Sequence, residues 1–121
     1  MNNDIQEITQ EDYEMSVYVL SILKSNAVIL MSWGYTSPTV IKQGLRFSVS
    51  GFLLKGTVEV VYNGGSDLFD LTFYNEDRSV RNTLEGIYFD ELLSTIDDQV
   101  ERVDNYKDRV NEEYNFLSNE V

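Results

Sequence analysis

The chain contains no cysteine and no histidine, and these two absences exclude several kinds of chemistry at once. Without cysteine there is no disulfide framework, no thiolate zinc site and no cysteine nucleophile. Without histidine the commonest general base and the commonest transition-metal ligand are missing. Any catalysis would therefore depend on carboxylates, tyrosine, serine or lysine.

The sequence also has few signals for export or membrane insertion. Its first 14 residues hold five acids and no base, whereas a secretory signal begins with positive charge. The longest uninterrupted aliphatic run, Ala27 to Met31, is far shorter than the roughly 20 residues that cross a bilayer. We therefore expect a cytoplasmic protein without a membrane partner.

Positive charge is scarce: nine bases face 21 acids, which gives a net charge of −12. Such a charge disfavours binding to nucleic acid and favours a basic or neutral partner, although acidity also serves solubility alone. The charge is uneven, at −4 for residues 1–26, +2 for residues 27–62 and −7 for residues 86–121. This distribution predicts an acidic helical side and a neutral to slightly basic sheet side.

Length and composition predict one folded domain over residues 1–121. The chain is 42% apolar and 12% aromatic, enough for one core and too short for two ordinary domains. We expect residues 1–8 and 118–121 to fray.

The apolar residues Met15, Val19 and Ile22 recur at helical spacing, which predicts a helix from Thr9 to about Asn26 with Thr9 or Gln10 as its cap. Residues 27–35 fit either a continuation of this helix or a β-branched strand. We expect a strand, because Ser25-Asn26 could break the helix and the sheet would otherwise lack a strand.

Three strands are expected in the middle of the chain. Leu45, Phe47 and Val49 alternate with polar residues, and two further apolar runs, 57–62 and 68–74, flank the turn-forming residues 63–67. The segment 36–44, with the single proline, fits a loop or an irregular edge. Residues 79–88 fit a short strand or an extended connection, so we predict an antiparallel meander of about four strands.

A long C-terminal helix is expected from Asp90. Apolar residues there follow a heptad spacing that one lysine interrupts. The members are Ile96, Val100, Val103, Lys107, Val110, Tyr114 and Leu117. The fold class is therefore α+β, with an N-terminal helix, the sheet, a long C-terminal helix and both helices on one sheet face.

Several segments together resemble one protein family over roughly residues 30 to 102. They are Met31-Ser32-Trp33-Gly34, Leu45 to Gly51, Lys55-Gly56, Gly64 to Asp70, Ile87-Tyr88 and Ile96-Asp97. The chain resembles the small uncharacterised proteins that conjugative mobile elements of gut anaerobes encode. The resemblance implies a mobile-element setting and no mechanism. That family often has histidines just before the Lys55-Gly56 position, where this chain has Phe52-Leu53-Leu54.

No catalytic, cofactor or metal site is expected from the residue pattern. Asp67 and Asp70 could bind a hard cation, but they match no EF-hand spacing, and turn chemistry explains the glycines and asparagine beside them. Asp97, Asp98 and Glu101 could supply an acid pair, yet a charge run on a helix is usually a solvated face.

Two places could contact a partner. Trp33 and Tyr35 could line a groove, or they could close one end of the core. In the distal C-terminal helix, Val110, Tyr114 and Leu117 have no obvious cover, which favours self-association. Our leading hypothesis is a non-enzymatic protein-binding or assembly module that needs no cofactor; the alternatives are an acidic decoy that imitates DNA and a carboxylate-based enzyme.

Overall fold

The structure, a computed structural model, describes residues 7–101. Its helices are α1 Gln10–Leu23, α2 Ala27–Ser32 and α3 Leu92–Val100, with 3-10 turns at Lys24–Asn26 and Phe89–Glu91. Its strands are β1 Thr36–Ile41, β2 Gly44–Ser50, β3 Lys55–Asn63, β4 Leu68–Asn75 and β5 Val80–Ile87. The strands form one antiparallel meander in chain order. The α+β class is confirmed, but the sheet has five strands and not about four.

Helix α1 begins at a capping box. The Thr9 hydroxyl accepts a hydrogen bond from the Asp12 backbone N–H, and the Asp12 carboxylate accepts one from the Thr9 N–H. Two of the backbone donors that a helix start leaves unpaired are thereby satisfied. Thr9 is thus the cap, and the expected helix is confirmed.

The expectation of a strand at residues 27–35 was wrong. The helical phase of α1 continues through a 3-10 turn into α2, whose start is capped by the Asn26 side chain accepting from the Ile29 N–H. Burial of Leu30 and Trp33 favours the helix, because both side chains extend the buried stripe of α1. Gly34, with a φ of +64°, ends it.

The sheet gains its extra strand from the segment that contains the single proline. β1 lies at the sheet edge, where a missing N–H does no harm, and its register shifts between Thr36 and Thr39 around Pro38. At the opposite edge β5 pairs with β4 and carries two register shifts of its own. The sheet was therefore not left short by a helix at residues 27–32.

One face of the sheet carries the core. Alternate residues of the three central strands are buried there, namely Leu45, Phe47, Val49, Val58, Val60, Phe69, Leu71 and Phe73. Val19, Leu23, Leu92 and Ile96 from the helices join the same cluster. Both helical segments therefore cover one face of the sheet and leave the other open.

Helix α3 is anchored where it ends. The Val100 carbonyl oxygen accepts hydrogen bonds from the backbone N–H groups of Leu53, at 2.8 Å, and Leu54, at 3.2 Å. Gly51 permits this approach, since a Cβ there would lie 2.4 Å from the same oxygen. A 3-10 turn precedes α3, so the helix begins at Leu92, two residues after the expected start. The rest of the expected heptad helix lies outside the described residues.

The helical run Gln10–Ser32 is long and apolar enough to cross a membrane on length and composition alone. Core helices of soluble proteins and signal sequences meet the same criterion. Three residues of this run, Val19, Leu23 and Leu30, are buried in the core of the structure. Length and composition do not separate these cases, so the cellular location remains a prediction.

Candidate binding cleft

A cleft of about 500 Å³ opens where α1, the β3–β4 hairpin and the β5–α3 connection meet. Five of its nine lining residues are aromatic, and within the described chain the lining includes one carboxylate and no lysine or arginine. The lining residues are Met15, Tyr18, Tyr62, Ser66, Asp67, Leu68, Phe69, Tyr88 and Phe89. The volume lies within the range of small-molecule and side-chain pockets.

Three of the aromatic side chains at the cleft are unusually open to solvent. Tyr18 is 46% exposed, Tyr88 58% and Phe89 55%. Tyr18 precedes the buried Val19 on α1. Tyr88 and Phe89 are neighbours at the junction of β5 and α3, where the strand is followed by a 3-10 turn. Clustered aromatic rings that remain exposed are typical of recognition surfaces.

The carboxylate of the cleft is held by a tyrosine. The Tyr62 hydroxyl donates a hydrogen bond of 2.5 Å to Asp67 Oδ1, and the Tyr62 ring packs edge-on against Phe69 at a centroid distance of 5.6 Å. The hydrogen bond to Asp67, together with partial burial and the charge of Asp67, raises the pKa of Tyr62 above its usual value. Tyr62 therefore stays a neutral donor at physiological pH.

The hairpin turn fixes where Asp67 lies. Asp67 has a φ of +60°, and its backbone N–H donates to the Asn63 carbonyl oxygen at 2.9 Å. The Asn63 side-chain oxygen accepts from Gly65 N–H at 2.9 Å and from Ser66 N–H at 3.3 Å. The turn chemistry expected for these residues is thus present, and its result is a carboxylate at the edge of the cleft.

A second concave area of about 440 Å³ lies on the open sheet face. Hydroxyl groups, two guanidinium groups and one carboxylate line it, from Ser37, Thr39, Arg46, Ser48, Thr57, Glu59, Tyr74 and Arg78. Arg46 donates to Glu59 Oε2 from Nε at 2.9 Å and from Nη2 at 2.7 Å, and the Tyr74 hydroxyl donates to Glu59 Oε1 at 3.1 Å. Burial raises the pKa of Tyr74 above its usual value, and the charge of Glu59 and its hydrogen bond with Tyr74 raise it further. Two of the charged groups of this area, Arg46 and Glu59, therefore neutralise one another.

Metal binding gains no support within residues 7–101, where no group of three or more acids is placed to hold an ion. Asp67 faces Tyr62, whereas the Asp70 carboxylate accepts from Asn63 Nδ2 at 3.3 Å and from the Gly86 N–H at 3.2 Å. The two aspartates thus make different contacts and do not face one common ligand position.

The carboxylates of α3 do not form the solvated face that the sequence suggested. Asp97 Oδ1 accepts from the Trp33 indole N–H at 2.8 Å, and the buried Glu101 accepts from the Phe52 N–H at 2.9 Å. Burial raises the pKa of Glu101, and the charge of Asp97 adds to this effect. Only Asp98 of the three is exposed. Two of these acids therefore tie α3 to the rest of the fold.

Trp33 and Tyr35 lie in and beside the core and do not line the cleft. The Trp33 side chain is fully buried and stacks on Phe47 at 6.2 Å, so it offers no surface to a partner in this structure. Tyr35 is half-buried against Phe47, and its buried hydroxyl has no hydrogen-bond partner within the described part of the chain. Burial raises the pKa of Tyr35. Of the two positions expected for these residues, the structure shows the one at the end of the core and not the one in a groove.

The remaining expected contacts, Val110, Tyr114 and Leu117, lie outside the described residues. Sequence reasoning missed the cleft because its walls come from three distant segments. One local signal was available: Tyr88 and Phe89 are adjacent aromatics at a strand-to-helix junction, where both cannot easily face the core. Comparison of the chain with protein families, curated proteins and solved structures found no match.

Proposed function

We propose that this protein is a non-enzymatic protein-binding module whose docking site is the aromatic cleft. The observation that carries the proposal is the set of three exposed rings, Tyr18, Tyr88 and Phe89, around a cavity of about 500 Å³. Aromatic anchors of this kind contribute much of the free energy of protein–protein binding when a partner covers them. A cytoplasmic location and a mobile-element setting belong to the same proposal.

Charge decides the kind of partner. The chain carries −12 overall, and the lining of the cleft includes Asp67 without any base within the described residues. Asp90 and Glu91 are exposed and follow Phe89 directly in the chain, so they add negative charge near the cleft. The occupant is a basic segment of another protein, because opposite charge speeds encounter and discriminates against acidic chains.

Selection from a random peptide display library tests this function. We expect enriched peptides that combine Lys or Arg with an apolar residue and bind the protein in a salt-sensitive manner. Phe89→Ser should weaken such a peptide by about tenfold or more, since an interface anchor contributes roughly 1–4 kcal/mol. Val80→Ser is the matched control, because Val80 is 59% exposed but lies in the edge strand β5, outside the cleft lining.

Two outcomes would contradict the proposal: a library from which no peptide is enriched, or enriched peptides that bind wild type and Phe89→Ser equally. Capture of a basic DNA-binding protein that persists in Phe89→Ser and vanishes with salt would instead favour the acidic decoy. Self-association through Val110, Tyr114 and Leu117 remains a separate proposal, which a light-scattering mass of Val110→Asp beside wild type tests.

A further inference from the structure

The cleft has a composition that suits one class of chemical group. Its walls are Tyr18, Tyr62, Tyr88 and Phe89 over a floor that contains Phe69, which is 3% exposed. The faces of aromatic rings carry negative electrostatic potential, so they attract cations that approach within about 6 Å. Tyr and Phe rings also present a large apolar surface to the methylene or methyl groups that surround an organic ammonium.

The single carboxylate of the lining strengthens this preference. Asp67 Oδ1 is bound by the Tyr62 hydroxyl, and the backbone at Asp67 is fixed by its hydrogen bond to the Asn63 carbonyl oxygen. Asp67 itself is exposed at the cleft edge, so its second oxygen can face an incoming group. A negative charge held in place is preorganised for a cation, since little conformational entropy is lost when the cation binds.

Other classes of occupant fit less well. An anion would meet Asp67 and the negative potential of a chain with a net charge of −12. A purely apolar group would cover the aromatic surface but would withdraw water from Asp67 without offering it a partner. A cation surrounded by carbon satisfies both parts of the lining.

We propose that the cleft between α1, the β3–β4 hairpin and the β5–α3 connection is a binding site for an organic ammonium group, with Asp67 as its counter-ion. The lysine ammonium and its methylated or quaternary forms share this chemistry. The proposal rests on the proposed function only for the identity of the partner, because a small ammonium compound tests the site by itself.

The test compares choline with 3,3-dimethyl-1-butanol, which has the same shape without the charge. Each is titrated into the full chain, and ring and methyl signals of Tyr18, Tyr88, Phe89 and Met15 are followed by nuclear magnetic resonance. We expect choline to saturate these shifts and the neutral compound to bind several-fold to about 30-fold more weakly, as cation–π attraction predicts. Equal binding of the two compounds, or no saturable shift with choline, would overturn the proposal.

Asp67→Asn isolates the counter-ion. It should lower the affinity for choline about three- to tenfold. Glu76→Gln should leave that affinity unchanged, although both variants remove one negative charge. Glu76 is exposed in the β4–β5 turn and pairs only with Lys55 at 3.5 Å within the described chain. If both variants weaken choline equally, the effect is the overall charge and Asp67 is not the counter-ion.

A further variant guards against a misfolded hairpin in Asp67→Asn. Tyr88→Ala leaves the hairpin intact and should also weaken choline several-fold, because it removes one wall of the cleft. Unchanged choline binding in Tyr88→Ala overturns the proposal. If choline binds but no peptide is enriched, the ammonium site stands and the protein-binding function is rejected. If enriched peptides bind at the cleft but choline does not, the protein-binding function stands and the ammonium site is rejected.

Discussion

Successive residues of each strand lie on opposite faces of the sheet, and the two faces differ in burial and polarity. Phe47 on β2 is registered with Val58 on β3, and Val58 with Phe73 on β4, and all three are fully buried beneath the helices. The next residues, Arg46, Glu59 and Thr72, are registered in the same way on the open face and are exposed or half-buried. Strand geometry alone therefore separates an apolar layer from a polar one.

The difference extends to the two concave areas. On the helix side the cleft combines exposed rings with one carboxylate, and no lysine or arginine is among its described lining residues. On the open face Glu59 accepts hydrogen bonds from both Arg46 and Tyr74, so the charges of Arg46 and Glu59 are already matched. Because unmatched groups bind partners more readily than matched ones, the helix side is the better candidate for recognition.

The largest expected effect is the loss of unfolding free energy when a core side chain is truncated. It is compared with truncation of the next residue, which lies on the open face. Phe47→Ala removes a ring that is fully buried and contacts both Trp33 and Tyr35, so it should cost about 3–5 kcal/mol of unfolding free energy. Ser48→Ala, one residue along, should stay within about 0.5 kcal/mol. Urea unfolding of both variants measures the contrast. Similar losses for the two would show that the faces are not energetically distinct.

Much of this two-sided sheet could be predicted from the alternation of Leu45, Phe47 and Val49, because the strand period requires no tertiary information. The turn at residues 63–67 was equally predictable from its asparagine and glycines. The segment 27–32 was not, since a short apolar run fits both periods, and the burial of Leu30 and Trp33 decides between them only after the sheet exists.

The cleft was less predictable than the fold. Tyr18, Tyr62 and Tyr88 are far apart in the chain, and the meander with its overlying helices brings them together. The residue pattern around Asp67 suggests a cation ligand but does not predict its hydrogen bond with Tyr62, because the direction of a turn carboxylate depends on its left-handed backbone. Long-range contacts of this kind leave no periodic trace in the sequence.

A second, smaller effect concerns the contact between Asp12, at the start of α1, and the β1–β2 turn. Asp12 is fully buried, and its Oδ1 accepts from the Gln43 N–H at 2.9 Å while Lys42 lies 3.4 Å from Oδ2. Hydrogen bonds from the Thr9 and Gln43 backbone lower the pKa of Asp12 to about 2, from an ordinary 3.8. The ionised carboxylate is therefore favoured by folding.

Asp12→Asn should lower the melting temperature at neutral pH, because the amide offers one acceptor oxygen where the carboxylate offers two. The folded pKa is depressed, so the stabilisation is fully present above about pH 4 and is lost as the pH falls towards 2. Melting curves of wild type and variant should therefore converge over that window. Glu11→Gln, an exposed acid in the same turn, is the control; a gap that stays constant down to pH 2 would contradict the role of Asp12.

The smallest expected effect lies on the open face. Arg46 is 47% exposed in its ion pair with Glu59, so its loss in Arg46→Gln should cost only about 0.2–1 kcal/mol and less in high salt. A double-mutant cycle with Glu59→Gln isolates the pair from the Tyr74 hydrogen bond, which Glu59→Gln retains through its side-chain oxygen. A coupling of more than about 2 kcal/mol would mean that this face is as strongly organised as the covered one, and the contrast between the two faces would fail.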